Sequence, residues 1–332
     1  MPPMTVLIAG GAGFIGINLV KTFAQRGHEV ISLDIRPADE LHKRFVMQWA
    51  GQVTFAQGDA LRKQDLEKAV GGRKITHIIN SITDNATKED AAALRTMLEA
   101  NVMAKVNLLE LAARLQITRF LSVSSINVYG YRPQTYEFLN EDVTPAPTGA
   151  VHSTNILGEQ ITRRYGELGR FETVNVRMSS TYGPMERDSG FKSALSIGQE
   201  WTGKVVNGEP VSVGDRTVGL QWSYAKDIAA GMVALMETPT LAHDTYNLAT
   251  PQWWTIGEAV AGLQAARPSA IIVDDPSIKY ARWKPRSLCP VMDVSRIFTD
   301  IGFAPRFDLA AGFKDLIEWR ETFPYKAYGP GR

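Results

Sequence analysis

The chain has 332 residues, 44% of them hydrophobic and 21% charged, enough to bury one extended α/β unit or two lobes sharing a core. Its 36 basic and 35 acidic side chains leave a net charge of +1, so no overall field favours nucleic acid, a membrane surface or a polyanion, and a small-molecule partner is expected. The single cysteine, Cys289, excludes an intramolecular disulfide and a cysteine-built metal site, and fits a reducing compartment. The opening MPPMTVLIAGG has neither a basic region nor a small-residue cleavage site, and no apolar run approaches the roughly 20 residues that span a bilayer. A cytoplasmic protein without a metal is the expectation.

Residues 5–10, TVLIAG, form a short continuous apolar run, the pattern of a strand buried on both faces of a parallel sheet. GGAGFIG then supplies Gly10, Gly13 and Gly16, residues 17–27 continue as a helix closed by Gly27, and HEVISLD ends a second strand on Asp34. The spacing has a mechanism. The first glycine makes a tight turn, the second lets a pyrophosphate approach the backbone, and the third lets helix pack on strand, while amides at the helix start (Phe14, Ile15, Gly16) hold the anion. Asp34 is placed to bind the adenosine ribose and favours NAD over NADP; Arg36 offers a guanidinium that could hold a 2′-phosphate.

VTFAQGD reads as a third strand, with Asp59 and Ala60 at its end meeting the adenine ring. ITHIINS (residues 75–81) reads as a fourth, with Asn80 and Ser81 at the end where open parallel sheets bind ligands: Asn80 on the cofactor side, Ser81 toward substrate. A long helix over residues 88–115 follows, then a fifth strand and loop in RFLSVSSINVYG and a sixth strand within residues 171–184. This alternation predicts an α/β fold, a Rossmann-type doubly wound parallel sheet with a smaller α+β substrate lobe. Residues 1–177 and 222–249 are assigned to the dinucleotide domain, 178–221 and 250–332 to the lobe.

These motifs resemble the extended short-chain dehydrogenase/reductase family, also called the NAD-dependent epimerase/dehydratase family, over nearly the whole chain. GGAGFIG is similar to its G-x-x-G-x-x-G, QGDALR to its G-D-x-x-D/R, ANVMAKVNLLELA to its N-V-x-G-T-x-N-L-L-E-A, SVSSINVYG to its S-S-x-x-V-Y-G and RMSSTYGP to its R-x-x-x-x-Y-G-P. YNLATPQWWTIGE and DVSRIFTDIGFAPRFDLAAGFKDLIEW resemble its late elements. The resemblance implies NAD as cofactor, Ser125 as the group that holds the substrate hydroxyl, and a homodimer paired through helices 101–115 and 154–168. It also implies a Y-x-x-x-K motif whose tyrosine takes a proton and whose lysine lowers that tyrosine's pKa and binds the nicotinamide ribose. In TGAVHSTNILGE (residues 148–159), Pro147, Thr154 and Glu159 fit the frame, which puts Val151 at the tyrosine and Asn155 at the lysine. A one-residue shift would bring His152 to the tyrosine position, but Ile156 and Gln160 would then replace the lysine and glutamate.

Val151 cannot move a proton, although Asn155 can donate a hydrogen bond to a ribose hydroxyl. His152, whose titration range suits a neutral base, and the loop tyrosines Tyr129, Tyr131 and Tyr182 are the replacements the sequence offers. Asp84, Lys88, Glu89 and Asp90 line a further polar loop. On the substrate side, LQWSYAKD puts Leu220 and Gln221 where relatives acting on nucleotide-linked sugars carry arginine and aspartate, while KYARWKPR offers Arg282 and Arg286 for a carboxylate or phosphate. Trp253 and Trp254 provide either an aromatic wall for substrate or packing between lobes. The leading expectation is an NAD-dependent oxidoreductase or epimerase-type enzyme on a small hydroxylated substrate, a sugar or sugar acid, through a non-standard proton relay. The alternatives are a catalytically silent dinucleotide-binding regulatory protein and a lyase or isomerase holding NAD as a fixed prosthetic group.

Overall fold

A computed structural model describes residues 2–84, 91–130, 136–187, 195–280, 284–286 and 290–324. Strand β1 (Thr5–Ala9) sends Val6 and Ile8 into one apolar cluster and Leu7 and Ala9 into another on the opposite face, as a strand covered on both sides must. After it come α1 (Phe14–Gln25), β2 (Glu29–Asp34), α2 (Glu40–Phe45), β3 (Val53–Gln57), α3 (Lys63–Val70) and β4 (His77–Asn80). The predicted long helix is in two parts: α4 (Ala91–Leu98) and α5 (Ala104–Leu115), joined by a π-helical turn, Glu99–Met103. The chain continues through β5 (Arg119–Ser125), β6 (Phe138–Leu139), α6 (Ala150–Gly169) and β7 (Glu172–Met178).

The main sheet has seven parallel strands in the order β11-β7-β5-β4-β1-β2-β3, where β11 is Thr245–Leu248. Strand β1 lies between β2 and β4, so the order reverses beside it and opens a crevice at the carboxyl ends of β1 and β4. Gly10 and Asn80 stand at that crevice. One face is covered by α1 and by α8 (Ala225–Glu237), the other by α3, α5 and α6.

Smaller sheets surround the ends of the main one. Strand β8 (Ser180–Tyr182) pairs in parallel with β10 (Gly219–Tyr224), which pairs antiparallel with β12 (Trp253–Thr255). Two-stranded sheets join β9 (Val211–Val213) to β13 (Ile272–Asp274), and β6 to β14 (Val291–Met292). Helices α7 (Ile197–Val206), α9 (Ile256–Ala266), α10 (Ser295–Ile301) and α11 (Leu309–Thr322) pack around them. Their aromatic core centres on Tyr182, with ring centroids 4.0 Å from Trp222, 5.1 Å from Tyr224 and 5.7 Å from Phe313. No helix among the described residues is long and apolar enough to cross a membrane.

Candidate active site

The turn after β1 is built for close approach. Gly10 has φ +79°, and a Cβ at Gly16 would overlap the Gly10 carbonyl, so helix and turn meet backbone to backbone. Gly13 occupies the N-cap of α1 and no side chain caps the helix, which leaves its positive end to whatever anion sits over Phe14, Ile15 and Gly16. Beside it a cleft of about 230 Å³ is lined by Ala12, Ser32, Asp34, Arg36, Phe55 and Gln57 among others. Asp34 accepts hydrogen bonds from the Ala12 amide at 3.1 Å and the Arg36 amide at 3.0 Å, which aims the carboxylate across the cleft. The Arg36 guanidinium lies 3.7 Å from the same carboxylate. Buried Ser32 Oγ and Asn80 Nδ2 have no hydrogen-bond partner among the described residues, and both stand by this crevice. An uncapped helix end, a carboxylate and orphaned polar atoms at a strand-order reversal fit a dinucleotide.

The remaining predicted cofactor contacts follow β3 and β4. Asp59 turns its carboxylate back onto the Leu61 amide at 2.9 Å, and the neighbouring Ala60 carbonyl accepts from Asn107 at 3.0 Å. Asn80 accepts from the Ile82 amide at 3.2 Å. Ser81, predicted toward substrate, lies with its backbone against Gly10, where a Cβ would come within 2.9 Å of it.

Helix α6 begins four residues before the 154–168 expected from the resemblance, with half-buried Val151 in its first turn. Asn155 is 8% exposed, and its side chain makes no hydrogen bond among the described residues. Asn101 of the π turn fixes the neighbouring Thr154, donating to its hydroxyl at 3.1 Å while binding the Asp84 backbone at 2.6 and 3.1 Å. Ser125 caps the short turn Ile126–Tyr129, accepting from the Asn127 amide at 3.2 Å, so its hydroxyl hydrogen remains able to donate. His152 Nδ1 accepts from the Thr148 amide at 3.3 Å and lies 3.1 Å from its hydroxyl. That contact favours the tautomer with the proton on Nε2, a donor rather than a base.

Two predicted replacements are buried among other side chains. Tyr129 is fully buried; its hydroxyl donates to Asn247 at 2.8 Å and accepts from Arg177 at 3.0 Å, and burial raises its pKa. Tyr182 is 1% exposed in the aromatic core, where burial and then the charges of Asp308, Asp227 and Asp315 push its hydroxyl far above the usual range. Both side chains are enclosed, Tyr129 at 0% and Tyr182 at 1% exposure. Tyr129 instead belongs to the network that anchors α6: Glu159 accepts from Ser124 at 2.5 Å and from Arg177 at 2.7 and 3.0 Å, all of them buried.

Buried Gln221 bonds Thr250 and Met292 backbone atoms at 2.7–3.1 Å, stitching β10 to β14, and Leu220 pairs with Trp254 across the small sheet. Trp253 and Trp254 are half-buried on β12. Arg286 lies 3.9 Å from Glu137. Arg282, Tyr131, Lys88, Glu89, Asp90 and Cys289 fall outside the described residues. The described residues contain no cluster of histidine, cysteine and carboxylate groups able to hold a metal.

One unassigned residue stands out. Lys105 on α5 is 3% exposed, and a Cβ at Gly158 on α6 would overlap its Nζ. The sequence carried a signal for it: Ala104, Lys105, Leu108, Leu109 and Ala112 mark one helical face, and Lys105 lies on the apolar side.

The profile of the NAD dependent epimerase/dehydratase family matches residues 6–249. UDP-glucuronate 4-epimerase 6 of Arabidopsis thaliana is 23% identical over 344 residues, covering 95% of this chain and 71% of the relative. The dTDP-glucose 4,6-dehydratase of Neisseria gonorrhoeae is 20% identical, covering 95% and 94%. Among solved structures, UDP-glucose 4-epimerase of Thermotoga maritima with UDP-glucose superposes with a TM-score of 0.79 at 18% identity, over 96% of this chain and 99% of the other. UDP-glucuronic acid 4-epimerase of Bacillus cereus, in complex with UDP-glucuronic acid and NAD, gives 0.77 at 20% identity over the same shares. These likenesses share the fold described above.

Proposed function

Since this chain belongs to the NAD dependent epimerase/dehydratase family, we propose that it binds NAD in the crevice at β1 and β4 and acts as an epimerase-type oxidoreductase on a small hydroxylated substrate, a sugar or sugar acid. The observation that carries the reading is a dinucleotide cleft complete in its turn, helix end and ribose carboxylate. The α1 amides hold the pyrophosphate, Asp34 the adenosine ribose and Asn155 the nicotinamide ribose. Ser125 donates to the substrate hydroxyl. Bound NAD supplies reversible hydride acceptance, and a group other than the family's tyrosine takes the hydroxyl proton. His152 fills that role only after releasing Thr148 and exchanging tautomer. The 178–221 and 250–332 segments form the substrate lobe; with Gln221 committed to β14 and Leu220 to Trp254, they support a substrate without a nucleotide.

Protein stripped of retained dinucleotide and titrated with NADH by fluorescence tests the cofactor. NADH production or isomer formation across a panel of sugars and sugar acids, lost in Ser125→Ala, tests the chemistry. Binding without turnover by any of them would favour a second reading, a silent dinucleotide-binding regulatory protein. That reading is supported by Val151 and by the burial of Tyr129 and Tyr182. A homodimer through α4 to α6 is part of the proposal, supported by exposed Leu94, Leu98, Met103, Leu157 and Leu168 on those elements.

A further inference from the structure

Lys105 is a buried amine, 3% exposed. Among the described residues its Nζ has no hydrogen bond and no carboxylate within ion-pair distance, an arrangement that is costly and so is rarely retained without a use. It sits against Gly158, one helical turn beyond Asn155, the position at which the family frame expects a lysine. The contacts Asn101–Thr154 and Lys105–Gly158 advance together, so α5 and α6 run parallel there. Helical side chains lean toward the helix N-terminus, which points the Lys105 stem toward the end of the seam where Asn101 bonds Thr154, the neighbour of Asn155.

We infer that Lys105 supplies from α5 the positive charge that α6 lacks at Asn155, acting as an electrostatic positioning residue for the nicotinamide end of the dinucleotide. The inference rests on the NAD-binding reading. Burial lowers the amine to about 8, with Glu159 opposing that shift, so the charge switches in the neutral to mildly alkaline range. Most of the other charges on the packed elements are paired. Arg177 binds Glu159, Glu99 of the π turn pairs with Arg95, Lys63 of α3 pairs with Glu110, and Arg114 pairs with Glu67. His77 of β4 bonds Thr76 at 2.8 Å, and Asp84, whose amide Asn101 holds, adds a buried carboxyl group at the end of the loop after β4.

The test is the ratio of NADH to NAD⁺ affinity, measured by titration from pH 6.5 to 9.5. Protonated Lys105 opposes the cationic oxidised ring, so NADH is favoured at low pH and the preference falls as pH rises through about 8. The expected change is on the order of tenfold, the scale of one buried charge acting across several ångströms. Lys105→Met flattens the profile, and Asn155→Lys added to it restores the NADH preference, which a merely structural lysine would not permit. An unaltered protein whose ratio does not vary with pH overturns the inference even if the variant fails to fold, as does a Lys105→Met protein that keeps the profile. If the unaltered protein binds neither dinucleotide, the cofactor reading fails and this one with it; binding with an unchanged variant profile sinks this one alone.

Discussion

Asp34 and Arg36 set opposite preferences within one cleft. The carboxylate is oriented by two backbone amides, while the guanidinium lies 3.7 Å away and partly exposed. The buried, oriented group should dominate, because a 2′-phosphate would meet the carboxylate at close range. NADH is therefore expected to bind more tightly than NADPH, and Asp34→Ala to narrow the gap about tenfold in paired fluorescence titrations; equal affinities in the unaltered protein would assign the ribose end to Arg36. Lys105 gives a second prediction at this scale. Its amine is depressed from 10.5 in the unfolded chain to about 8 when folded, so the unfolded chain holds the proton more tightly between those values. The resulting destabilisation is present at lower pH and is relieved as pH rises from about 8 to 10.5. Urea unfolding should show the unaltered protein gaining on Lys105→Met across that window, the tyrosine titrations being common to both.

At the scale of the element, α6 is held by a buried ion pair rather than by its caps, since Gly149 offers no capping side chain. Arg177→Met would strand the Glu159 carboxylate, at a cost of about 3–5 kcal/mol in unfolding free energy. Adding Glu159→Gln should recover part of that loss, and a double variant no better than the single would show that the pair is not what anchors the helix. How far the elements could be read beforehand depends on how local their causes are. The strand, glycine turn and helix from β1 through α1 are fixed by neighbours in sequence, and TVLIAGGAGFIG states each part in order. The two-residue strands β6 and β14 owe their existence to each other although far apart in the chain, Phe138 pairing with Val291, and no periodicity announces a pair so short. Tyr129 and Tyr182 stood on loops in the sequence, but only the fold shows that one is tied into the Glu159–Arg177 network and the other enclosed by Trp222 and Phe313. Lys105 was legible as a cation on an apolar face, and its nearness to Gly158 was not.

Over the whole molecule, the two faces of the main sheet are finished differently. The α1 and α8 face is continuous with the large core that includes the outer helices, while α4 to α6 end at solvent with five large apolar side chains exposed. Such a surface is expected to pair with its copy about a two-fold axis. Light scattering should report a dimer for the unaltered protein and a monomer for Leu98→Asp combined with Leu157→Asp, with NADH binding retained because neither residue faces the crevice. A monomer at micromolar concentration before any substitution would remove the dimer from the proposal.

The π turn at Glu99–Met103 bears on how this surface and this site came to share a helix. A π turn is what a continuous helix becomes when it accommodates one additional residue, and it separates the angular setting of the two parts. Each residue advances an ordinary helix by about 100°, so excising one from α5 itself would turn its two ends against each other, whereas excising one from the π turn would let it close into α-helix with the faces on either side kept. At this one place the chain can lose a residue and still hold Leu94 and Leu98 on the outer surface and Lys105 against Gly158.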